Sequence, residues 1–114
     1  MASYKFIVFT NPVEGREDEY NDWYDNIHVR DVLTIPGVKG CQRFRLTEAQ
    51  RYPGPHEWNY LAIYDAETDD LQGIFDEIVK RGGTELMRFT DALSAKRFFC
   101  TYEPITELRF AAEP

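Results

Sequence analysis

The chain has 114 residues, 43% of them hydrophobic, 29% charged and 15% aromatic, with a formal net charge of −7. That is one domain's worth of core. The acidic balance excludes a nucleic-acid binder, which needs clustered Lys and Arg, and no window approaches the roughly 18 apolar residues of a membrane span.

The opening "MASYKFIVFTNP" carries a short alternating run and no small-residue cleavage site, so it reads as a strand and not a signal peptide; the expected location is cytoplasmic. Residues 4–11 form the first predicted strand, and "PVEG" makes a turn. A helix follows from about Arg16 to Thr34, with Glu17, Asp18 and Glu19 at the positive end of its dipole. Pro36 and Gly37 end it.

Residues 38–46 alternate as a second strand, with Val38, Gln42, Phe44 and Leu46 on one side and Lys39, Cys41, Arg43 and Arg45 on the other. The Pro-rich stretch 47–57 is a loop holding His56, expected to face solvent. A third strand spans 58–66, with Trp58, Tyr60 and Tyr64 on one face. "TDDLQGIFDEIVKRGG" then gives an amphipathic helix, its stripe formed by Leu71, Ile74, Phe75, Ile78 and Val79, with Thr68 or Asp69 as N-cap and Gly82 just past its end. "TELMRFTDALSA" reads as a mobile or short helical connection, and 96–105 as a fourth strand. Cys41 and Cys100 lack metal-ligand spacing and read as buried thiols; no metal site is expected.

The order β-α-β-β-α-β specifies an α+β fold: the ferredoxin-like plait, a four-stranded antiparallel sheet with both helices on one face. Each strand places large residues on both faces, so the uncovered face should pair with another copy. A homodimer through the sheets is the expectation.

The block "GREDEYNDWYDNIHVRDVLTIPGVKGCQRFRL", together with "YEPI" near the C-terminus, resembles the dimeric α+β barrel superfamily and, within it, the EthD-like proteins. The resemblance covers nearly the whole chain in element order. It is most specific from Trp23 to Gly37, where an aromatic-rich helix carries a histidine before a Pro-Gly turn. It implies a pocket between sheet and helices in each protomer. Members include cofactor-free monooxygenases, polyketide cyclases, lactone isomerases, dehydratases, decarboxylases and some haem enzymes. In several, a pocket histidine and a tyrosine share the proton transfers.

On a helical wheel, Tyr20, Trp23, Tyr24 and Ile27 share a face, with Asp31 near its centre and His28 at its edge. His28 and Asp31 stand three apart and can pair directly, which would raise the basicity of the imidazole and fix its tautomer. One reading makes His28 a general acid/base oriented by Asp31, with Tyr24 as the phenol partner. The other has His28 at a polar pocket corner and Asp31 tied to a strand arginine, Arg43 or Arg45.

Trp23 is expected as a pocket wall, Tyr60 or Tyr64 as an enolate-stabilising phenol, and Arg43 as a clamp for a substrate carboxylate. No phosphate loop, dinucleotide fingerprint or nucleophile elbow is present. A single histidine can ligate haem iron, but the expectation is a cofactor-independent enzyme. Its chemistry would be proton transfer of the lyase, cyclase or dehydratase type on an aromatic or polyketide-like metabolite. The alternatives are a cofactor-free monooxygenase and a non-catalytic binding protein.

Overall fold

A computed structural model describes residues 1–112. Strand β1 (Ala2–Thr10) is the second of four, in the order β2-β3-β1-β4, and every pairing is antiparallel. β2 (Val38–Arg45), β3 (Tyr60–Thr68) and β4 (Phe98–Tyr102) complete the sheet. This is the expected ferredoxin-like plait.

Alternation along the strands sorts side chains onto two faces. Phe6 and Thr10 of β1 and Tyr60, Ala62, Tyr64 and Ala66 of β3 are buried under the helices. Ile7 and Phe9 project the other way, beside their strand partners Ile63, Leu61 and Phe98. β2 begins with a bulge between Val38 and Gly40. The extra residue reverses the alternation, so Val38 is in the core and not on the Gln42–Phe44 side expected from the sequence. β3 starts two residues later than expected, at Tyr60. Trp58 therefore precedes the strand, and its ring packs on Phe9 of the open face, apart from Tyr60 and Tyr64.

The first helical region is one rod with an irregular centre. α1 (Glu17–Trp23) passes into a π-helical turn (Tyr24–His28) and then into α2 (Val29–Val32). Within the turn, the Val29 amide donates to the Tyr24 carbonyl five residues back. Gly37, at φ +97°, closes the following turn; a Cβ there would stand 3.0 Å from Cδ1 of Ile74 and 3.4 Å from the Glu67 carbonyl oxygen.

α3 (Leu71–Arg81) is capped by Asp70, not Thr68 or Asp69: its carboxylate accepts from the Gly73 amide at 3.0 Å. At the other end Gly82 has an ordinary negative φ, and Gly83 takes the left-handed conformation at +80°. Ile74 seals against the core, whereas Val79 is 81% exposed, because the end of α3 overhangs an opening. The 83–95 connection is not helical. Isolated bridges Gly82–Met87 and Pro12–Leu93 pin it, and Met87, Ala92 and Leu93 are buried.

Candidate functional site

A cavity of about 310 Å³ opens between the helix-facing side of the sheet, the first helical rod, the end of α3 and the 83–95 connection. Phe6, Val8, Tyr64 and Phe99 form its floor, Trp23, Tyr24 and His28 one wall, and Met87, Arg88, Phe89 and Leu93 another. The volume is at the small end of ligand pockets. It is about twice that of an engineered cavity known to hold benzene.

The π turn places His28. In a regular α-helix, residues five apart point about 140° from each other. Here the wider turn brings Trp23 and His28 together, their rings stacked at 4.5 Å between centroids and 20° between planes. Tyr24 closes on the imidazole edge-on at 5.1 Å. Nδ1 of His28 is buried and has no hydrogen-bond partner among the described residues; the buried Tyr64 hydroxyl makes no well-formed hydrogen bond there, with the Tyr24 hydroxyl and the Cys41 thiol as its polar neighbours. Buried polar atoms are almost always paired, and these two belong to residues lining the same largely apolar cavity.

Electrostatics oppose the sequence expectation. Burial lowers the pKa of His28 to about 4; Asp31 pulls it upward, while Arg97 and Arg43 add to the lowering. The imidazole is therefore neutral at physiological pH, and the expected rise in basicity is replaced by a fall. Burial holds the Tyr64 phenol well above its usual range, and that of Tyr24 is raised by the same cause, so both stay protonated donors.

Asp31 does not hydrogen-bond His28. Its carboxylate accepts from Arg88 three times, from the backbone amide at 3.0 Å, Nε at 3.2 Å and Nη2 at 2.8 Å. The competing sequence reading had the right kind of partner and the wrong arginine. The hydrogen bonds to Arg88 hold the Asp31 carboxyl below its ordinary range. Nε1 of Trp23 donates to the Arg88 carbonyl at 3.1 Å, so two helix residues grip one residue of the opposite wall.

Of the residues expected at the site, His28, Tyr24, Trp23 and Tyr64 do line the cavity, whereas Asp31 reaches it only through Arg88. Tyr60 and Arg43 lie outside it. The Tyr60 hydroxyl donates to Glu17 and accepts from Asn21. Arg43 donates to Asp25 and Asn21 and lies over the Tyr24 ring at 4.3 Å, so it packs the back of the wall and is not free to clamp a ligand. His56 is exposed, with Nε2 at 3.0 Å from the Tyr52 carbonyl oxygen. Sequence reasoning missed Arg88 and Arg97, and no local pattern marks either.

No group of three or more metal-ligating side chains occurs among the described residues, and no helix there is long and apolar enough to cross a membrane. No family model matches the sequence, and no curated protein does. Solved structures do match. A candidate monooxygenase from Shewanella loihica PV-4 is 10% identical at a TM-score of 0.64, covering 93% of this chain and 97% of that one. An arginine-to-serine variant of MhuD with two manganese protoporphyrin IX bound per active site is 16% identical, also at 0.64, over 94% and 99%. A DABB-family protein from Mesorhizobium loti, with a ferredoxin-like fold, is 11% identical at 0.54 over 93% and 100%. At such identities the likeness is one of fold alone: the chain has a ferredoxin-like α+β fold.

Proposed function

We propose that the protein is a small-molecule enzyme acting by proton transfer on an aromatic or polyketide-like metabolite, of the lyase, cyclase or dehydratase type. One observation carries this reading: the buried Nδ1 of His28 and hydroxyl of Tyr64, neither in a well-formed hydrogen bond, on residues lining a single largely apolar cavity. Each unpaired buried polar atom costs on the order of 1–3 kcal/mol, a cost that a ligand supplying a carbonyl or hydroxyl removes.

The chemistry follows from the charge states. Tyr64, held as a phenol, donates to the oxygen of a substrate carbonyl. Neutral His28 takes the proton from the adjacent carbon as negative charge moves onto that oxygen. A base of pKa about 4 is weak on its own; a developing enolate beside it raises the pKa of the imidazole during the transfer. The proton then returns to carbon or to a leaving oxygen. Asp31 acts as a positioning residue, through Arg88 and the wall it belongs to. The homodimer remains part of the proposal, supported by the open sheet face.

The test is turnover and thermal shift against a panel of aromatic ketones, lactones and phenols. The expected result is a hit whose turnover falls at least 100-fold in His28→Gln and at least 10-fold in Tyr64→Phe, with binding retained. Binding without turnover in any protein would make this a carrier. A Soret shift on adding haemin that disappears in His28→Gln would replace the proton-transfer reading with a haem site.

A further inference from the structure

The chain holds 20 acidic and 13 basic residues, yet the cavity wall carries no Asp or Glu among the described residues. Its charged side chains are Arg88 and Arg97. An acidic protein with a cation-only pocket has an electrostatic preference inside that its surface lacks. The two arginines differ in availability. Arg88 is committed, with Nε and Nη2 both on Asp31. Arg97, on the short approach to β4, has no acidic partner within 4.0 Å among the described residues, although its neighbour Lys96 pairs with Glu57. The planar fork of Arg97 is therefore free at the rim of a cavity walled by Trp23, Phe6 and Phe99.

We infer that the cavity takes a one- or two-ring organic acid as its carboxylate anion, the rings among Trp23, Phe6 and Phe99 and the carboxylate on the Arg97 guanidinium. The inference rests on the cavity being the binding site. Size and charge carry it: about 310 Å³ accommodates two fused rings, and an unpaired arginine fork matches a carboxylate bidentately. A simple phenol, with a pKa near 10, would arrive uncharged at neutral pH, whereas a carboxylic acid arrives ionised. The rim position leaves the second side of the carboxylate in water, so little desolvation opposes the pair. An anion there would also offset the Arg97 charge felt by His28. Arg97 becomes the specificity-determining residue, replacing Arg43.

Isothermal titration with 2-naphthoate and its neutral isostere 2-naphthamide tests this. The unmodified protein should bind the acid at least 10-fold more tightly. Arg97→Gln should abolish that preference while leaving amide affinity within 2-fold, and Lys96→Gln should preserve it. Equal binding of acid and amide by the unmodified protein, or a preference that survives in Arg97→Gln, overturns the anion inference while leaving the cavity a binding site. Failure of both probes to bind overturns the binding-site reading and this inference with it.

Discussion

The two faces of one sheet use the same residue types to different ends. Beneath the helices, Phe6 is 1% exposed and stacks on Tyr64 at 4.7 Å and on Phe99 at 5.4 Å. On the open face, Phe98 is 53% exposed and Phe44 40%, and Phe98 meets Phe9 at a loose 5.9 Å. Hydrophobicity therefore does not distinguish a site from an interface here. The covered face contains buried polar atoms without well-formed hydrogen bonds and an unshared positive charge, whereas the open face offers exposed apolar area. An orphan polar atom points to a small ligand, and an uncovered apolar sheet points to a second protein surface.

The contrast is broken most forcefully at Phe6. Phe6→Ala removes a ring packed on three other aromatics and should cost about 3–5 kcal/mol by urea denaturation. A cost under 1 kcal/mol would mean that the covered face is not the core.

Next comes the pH dependence of His28. Its folded-state pKa of about 4 lies below the ordinary 6.5, so the unfolded chain binds the proton first. Stability is then complete above about pH 6.5 and is lost as pH falls toward 4, on the order of 2 kcal/mol between pH 6.5 and 5. His28→Leu should remove that slope, at no cost at pH 7, because it replaces an orphan polar group by an apolar one. Parallel slopes in the two proteins would show that His28 is not buried neutral.

Asp31→Asn is the third. It leaves Arg88 with weaker acceptors and should cost about 1–2 kcal/mol. It should also loosen the Arg88 wall, seen as faster amide exchange at Arg88. If only the His28 titration moved, the carboxylate would be serving the imidazole directly.

Element order, the buried face of the first helix and the aromatic wall were legible from periodicity, because alternation and the 3.6-residue stripe report burial directly. Two of the misses share one cause: a single inserted residue shifts the phase. The bulge at Val38–Gly40 reversed one strand's opening, and the π turn at Tyr24–His28 swung an imidazole against Trp23. Neither insertion has a compositional mark, so a wheel of fixed pitch puts His28 at the edge of its face. The Asp31–Arg88 pair spans 57 residues and closes only in three dimensions. Arg97 carries no local sequence mark; the absence of any acid among the described residues of the cavity wall around it is what sets it apart.

The smallest effect on the protomer, and the sharpest on the comparison, belongs to the open face. Phe44→Ser and Phe98→Ser replace rings that are 40% and 53% exposed and pack little within their own chain. The folding free energy of the isolated protomer should therefore change by only about 0.5 kcal/mol. If a second copy covers this face, the same substitutions remove the apolar centre of a sheet-to-sheet contact, where a few aromatic anchors carry most of the energy. Sedimentation should then show a dimer for the unmodified protein and a monomer for the double variant, with 2-naphthoate binding retained by the monomer. A dimer that survives would place the interface elsewhere and leave an apolar sheet face exposed to water. A monomer that no longer binds would mean that the two faces are coupled and that covering one shapes the cavity behind the other.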